Sequence, residues 1–111
     1  MKFIINRKTW LKGDSLISFL LRGFDQKMCC LGQVSEQCGI PKDRLLDVCM
    51  PQSLDLEDLS KLPKWIQEKE LALEAMEVND NPWISDKERE SKLQEIFKKH
   101  GDELEFVNDY E

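Results

Sequence analysis

The sequence predicts a small α+β domain in which a mostly antiparallel sheet of N- and C-terminal strands packs against about three helices. Three observations predict it. A short β-branched apolar run opens the chain, an alternating Leu104-Glu105-Phe106-Val107 run lies near residue 111, and between them apolar residues recur at helical spacing. A length of 111 residues suits one domain, so residues 1–111 are read as a single unit with one core and no room for a separate cofactor domain.

Lys2-Phe3-Ile4-Ile5-Asn6, bounded by the polar Arg7-Lys8-Thr9, reads as the first strand, and Trp10 and Gly13 mark a turn after it. Leu16-Ile17-Ser18-Phe19-Leu20-Leu21-Arg22 is a second strand candidate. Gly23-Phe24-Asp25-Gln26 has the turn composition to fold the chain back toward Lys27-Met28-Cys29-Cys30, as a hairpin entering a helix. That helix is expected at about residues 28–38, where Cys30, Leu31, Val34 and Cys38 gather on one side and Gly39 and Pro41 end it. Pro41 to Val48 suggests one further helical turn. Residues 50–64 read as a connector anchored by Leu54, Leu56, Leu59 and Leu62.

Trp65-Ile66 opens another helical unit. Leu71, Ala72, Ala75, Met76 and Val78 form its broad apolar face, Glu68, Glu70, Glu74 and Glu77 turn outward, and Asn79-Asp80-Asn81-Pro82 breaks it. Residues 85–100 carry the strongest helix signature. Ser85 and Glu88 have capping-box spacing, Leu93, Ile96, Phe97 and His100 form the stripe, and Glu88/Lys92 and Glu95/Lys99 are well-oriented pairs. Lys98 and Lys99 suit the C-terminal end of the dipole, and Gly101 suits a left-handed cap. The simplest burial for the last strand is beside one of the two N-terminal strands.

The net charge of −6 is uneven. Residues 1–67 hold ten Lys/Arg against eight Asp/Glu, whereas residues 68–111 hold six against fourteen. The acidic half repels nucleic-acid backbones, so direct nucleic-acid binding is not expected, while the basic half suits a small anionic ligand. The first nineteen residues carry no apolar run long enough for a signal peptide or spanning helix, which predicts a cytoplasmic chain away from membranes. Cys29, Cys30, Cys38 and Cys49 are then expected as reduced thiols.

No cofactor, metal or catalytic group is expected. Adjacent Cys29-Cys30 point in different directions and no C-x-x-C pair exists, so buried core thiols are the better account than zinc. His100 is the sole histidine and stands at a helix end, more suited to capping carbonyls than to pairing with a cysteine nucleophile. Asn79, Asn81, Trp83, Ser85, Lys87 and Glu90 fall in a calcium-loop register, but Ile84 replaces the turn glycine and Lys87 occupies a ligand position. P-loop, dinucleotide, zinc-protease and nucleophile-elbow motifs are absent.

Two surfaces remain as candidates. Arg7, Trp10 and Lys12, approached by Arg22 and Lys27, could stack a base on the indole and neutralise phosphates, although Trp10 also suits a core anchor with snorkelling neighbours. Glu68, Glu70, Glu74, Glu77 and Asp80 could imitate phosphate spacing and occupy a protein's nucleic-acid groove, although solvated helix faces look the same in sequence.

Asn6-Arg7-Lys8-Thr9-Trp10-Leu11-Lys12-Gly13, Lys27-Met28-Cys29-Cys30-Leu31-Gly32, Val78-Asn79-Asp80-Asn81, Ile84 to Glu90 and Glu105-Phe106-Val107 together resemble a group of small bacteriophage and prophage accessory proteins. The likeness spans most of the chain except the leucine connector, and the group carries no catalytic or binding residues to transfer. It implies action inside a bacterial cell. By analogy of genome context, it implies countering host defence through non-catalytic binding. The expected target is a small anionic nucleotide held by Arg7, Trp10, Lys12, Arg22 and Lys27, which a homo-oligomer would help enclose. The alternative is a host defence protein blocked by the acidic C-terminal half.

Overall fold

A computed structural model describes residues 1–13 and 18–110. Strand β1 (Lys2–Asn6) leads through a 3-10 turn at Arg7–Thr9 toward helix α1 (Cys30–Gln37). Three one-turn helices follow, α2 (Lys42–Leu45), α3 (Leu56–Leu59) and α4 (Lys64–Gln67), then the longer α5 (Lys69–Asp80) and α6 (Asp86–Lys99), and last strand β2 (Glu103–Val107). The three longer helices occupy the three regions expected to be helical. Of the short ones, α2 falls in the turn expected over Pro41–Val48, α3 begins after Asp55 inside the expected connector, and α4, begun by Pro63, is cut off from α5 by the extended backbone of Glu68.

The sheet corrects the antiparallel expectation. β1 and β2 pair in parallel, Lys2 with Glu103 through Asn6 with Val107. An antiparallel meander required a second N-terminal strand. Leu16 and Ile17 of that candidate lie outside the described residues, and Ser18 to Arg22 form no strand, only a bridge from Leu21 to Leu46. The Gly23–Asp25 turn does reverse the chain, with Arg22 N–H donating to the Lys27 carbonyl at 2.8 Å, but Met28 then bridges Trp10. What remains is one strand from each end of the chain, and everything between them serves as the crossover that parallel pairing requires.

The outer edge of β1 is closed by side chains. Gln33 and Gln37 of α1 each make a two-way amide bridge to the strand. Gln33 accepts from Asn6 N–H at 2.8 Å and donates to the Asn6 carbonyl at 3.2 Å, while Gln37 does the same with Ile4 at 2.9 and 2.7 Å. Four helical residues rise about 6 Å and two strand residues about 6.6 Å, so glutamines at i and i+4 fall in step with alternate strand residues. They satisfy an edge that would otherwise recruit another strand.

Phe3 and Ile5 face inward from β1 and join Leu20, Leu21, Leu31, Val34, Ile40, Leu45, Ile66, Leu93 and Phe97 in the core. α1 packs directly on the backbone of Leu20 because residue 32 is glycine: a Cβ there would lie 1.8 Å from the Leu20 carbonyl oxygen. Cys29 and Cys30 are buried as expected, and Cys29 also caps α1 by accepting from Gly32 N–H. α6 follows its expected limits closely. Ser85 accepts from Glu88 N–H at 3.1 Å, and Gly101 takes a φ of +87° after His100. Glu88 turns to Lys92 as expected, while Lys99 pairs with Glu74 of α5 instead of Glu95.

Candidate functional site

The 3-10 turn after β1 delivers Arg7 and Trp10 to the junction of β2 and α6, where they meet Lys12 around the ring of Tyr110. Arg7 grips Glu90 with two hydrogen bonds, at 2.9 and 2.7 Å, donates to the Asn108 carbonyl at 3.0 Å, and lies 5.5 Å from the Tyr110 ring. Lys12 pairs with Asp86 at 3.0 Å and stands 4.6 Å from the same ring. Tyr110 donates its hydroxyl to Glu90 and stacks at 25° to Trp10. Burial pushes the Glu90 carboxyl up, but its bonds with Arg7 and Tyr110 outweigh that and hold it below the ordinary range. Burial and Glu90 together raise the Tyr110 phenol. At neutral pH the cluster is therefore guanidinium, carboxylate and neutral phenol, closed on itself.

Trp10 is 2% exposed, with Phe106 and Tyr110 against its ring. Its environment is that of a core anchor, and a base could reach the indole only by displacing Tyr110. Arg22 and Lys27 belong to a different turn, where Arg22 grips Asp25 at 2.6 and 3.1 Å and covers Phe24. The structure thus gathers three of the five expected residues and sets the other two on the neighbouring turn.

Asn79, which the sequence offered as part of a helix breaker and as the first position of a calcium register, organises this region. It is 1% exposed at the end of α5. Its side-chain oxygen accepts from Trp10 Nε1 at 2.8 Å and Cys30 N–H at 3.0 Å, its amide donates to the Leu11 carbonyl and to Asp80, and its own carbonyl accepts from Gly13 N–H. The full capacity of the amide is spent, and two distant segments, Trp10–Gly13 and the start of α1, are tied to the end of α5. A polar residue at the end of an amphipathic helix was the only available signal.

The loop after Asn79 is pinned from beneath by Arg89. This guanidinium, 2% exposed, donates to Asp86 at 2.6 Å and to the carbonyls of Asn81 and Ile84. Gly13, at φ +57°, lies over it so closely that a Cβ would stand 2.6 Å from Arg89 Nη2. Asn81 accepts from Trp83 N–H at 2.8 Å. The result is a fixed loop that holds Trp83 outward at 90% exposure, beside an open groove of about 480 Å³ lined by Leu73, Met76, Glu77, Asp80, Asn81 and Pro82. Two carboxylates and no cation stand on its walls. Asn79, Asn81 and Glu90 of the calcium register have their oxygens committed to Trp10, Trp83 and Arg7. Among the described residues no group of three or more His, Cys, Asp or Glu is placed to hold a metal.

Cys29, Cys30 and Cys38 offer little nucleophilic character. Burial pushes the Cys29 thiol up to about 12 and Cys30 well above its ordinary value. Cys38, which lines a cleft together with His100, is also raised, first by burial and then by Asp102, so it rests as a thiol. No helix is long and apolar enough to cross a membrane among the described residues. Comparison with protein-family models, curated proteins and solved structures finds no match to this chain.

Proposed function

We propose that this chain acts by non-catalytic binding, blocking a protein partner through the acidic, Trp83-tipped loop between α5 and α6. One observation carries this reading: a tryptophan 90% exposed on a loop whose Asn81 and Ile84 carbonyls are bonded to a buried arginine. Exposed tryptophans at the centre of an interface are typical energetic anchors, and a loop already fixed in place loses little entropy on binding. Leu73 and Met76 extend the apolar contact, while Glu77 and Asp80 select a partner with a basic rim around an apolar pocket. Such a partner fits the host protein implied by the likeness to phage accessory proteins. Direct block is favoured over nucleic-acid mimicry, because an apolar indole at the centre adds nothing to the imitation of phosphates. Sequestration of a nucleotide at Trp10 has less support, since Arg7 and Lys12 are ion-paired and the indole is covered.

The test is capture of a partner from bacterial lysate by the full chain, followed by affinity measurement with purified partner and variants. Trp83→Ala is expected to weaken binding about thirtyfold, equivalent to about 2 kcal/mol, without lowering thermal stability. Glu77→Lys is expected to slow association, and Arg7→Ala to leave affinity unchanged. A partner held equally well by Trp83→Ala would overturn the proposal, as would a chain that captures no protein and is stabilised by a nucleotide in a way that Arg7→Ala abolishes.

A further inference from the structure

On the opposite side of α6 from its loop-bearing end, the C-terminus of α1, the segment leading into α4 and the α6–β2 junction enclose an open cleft of about 680 Å³. That is the size of a small-molecule site. The acceptors on its walls are already spent. Asp102, 9% exposed, takes the Met1 amino group at 3.0 Å on one oxygen and Trp65 Nε1 at 2.9 Å on the other. The Gln37 amide is committed to Ile4 and Gln33.

What remains unspent is positive charge and donor capacity. Lys64 has no ion pair or side-chain hydrogen bond among the described residues. Lys61 shares Asp58 with Arg44, at 3.3 and 3.0 Å, so one carboxylate balances two cations. His100 stacks on Trp65 at 9°, with ring centroids 4.6 Å apart, and its Nε2 is buried without a partner. An unmet buried polar atom is costly, which favours a ligand able to supply its missing partner. A cleft with one unpaired ammonium, a second that shares its carboxylate, and an unpartnered imidazole nitrogen calls for an anion rich in acceptors, and its volume leaves room for more than the anionic group.

We infer that this cleft binds a small phosphate-bearing metabolite, gripped by Lys61 and Lys64 at the rim and by His100 on the wall. The site is independent of the Trp83 surface, and either can fail without the other. It is tested by nuclear magnetic resonance on the full chain at constant ionic strength, following the Trp65 indole N–H and the His100 ring during titration with inorganic phosphate, glucose 6-phosphate and adenosine monophosphate. Saturable shifts with at least one of the three are expected. Lys61→Glu and Lys64→Glu, both at exposed positions, should each weaken them about tenfold, while Trp83→Ala leaves them unchanged. Equal binding of all three probes supports a site that reads the phosphate group alone, and preference for one ester supports a site that also reads the attached sugar or base. Absence of saturable shifts at millimolar concentrations of every probe overturns the inference. So does binding that persists unchanged in the Lys61→Glu/Lys64→Glu double variant.

Discussion

At the scale of single residues, the chain depends on positions where one atom more or less has no room. A methyl group at Gly32 would meet backbone, not a flexible side chain, so α1 could accept it only by moving away from Leu20. Gly32→Ala is therefore expected to cost at least about 3 kcal/mol despite alanine's better helix propensity, measured by urea denaturation. An unchanged midpoint would show that the close approach carries no energetic weight. Asn79 illustrates the converse, a position defined by bonds instead of space. Trp10, Leu11, Gly13, Cys30 and Asp80 all converge on it, yet its neighbours in sequence describe only a helix end.

At the scale of elements, β1 is completed by a helix. Gln33 is 6% exposed, so replacing it with leucine leaves the Asn6 N–H and carbonyl poorly solvated, whereas the Ile4 groups served by Gln37 can turn to water. Gln33→Leu is expected to cost about 2 kcal/mol and Gln37→Leu about 1 kcal/mol, with faster amide exchange at Asn6 and Ile4 as the local signature. Equal stability of both variants with the wild type would mean that the strand edge needs no closure. α6 stands at the other extreme, because its cap, charge order and glycine stop are all local. Even there, partner choice was not local: Lys99 went to Glu74 across the interface with α5, and His100 went to the face of Trp65.

At the scale of the whole molecule, the ends of the chain are clasped together by the parallel β1–β2 pair and by the Arg7–Glu90–Tyr110 cluster. Stability should respond to pH at both limits, with opposite signs. Glu90 has a depressed folded value, so its contribution is present above the unfolded carboxyl range and disappears as pH falls through the folded value. Cys29 is raised from 9.0 to about 12, so its contribution is complete below pH 9.0 and disappears as pH rises toward about 12. Under reducing conditions the unfolding free energy should fall above pH 9.0 by about 1.4 kcal/mol per pH unit for each buried thiol that titrates only in the unfolded chain. A flat profile from pH 9.0 to about 11, measured by chemical denaturation, would show that Cys29 ionises without unfolding.

Signals lying within a few residues suffice to place the limits of α6, the two terminal strands, the regions of α1 and α5, and the burial of Cys29 and Cys30. The direction of strand pairing is not written locally, because it depends on how the whole chain between the strands folds. The tertiary structure also separated two tryptophans that look alike in sequence. Trp10 and Trp83 each stand beside turn residues and charges, yet one is 2% exposed beneath Phe106 and Tyr110 and the other 90% exposed above Arg89. Burial is a property of what arrives from elsewhere in the chain. The candidate surface therefore moved from the basic N-terminal segment to the acidic α5–α6 loop, where the fold leaves an indole uncovered.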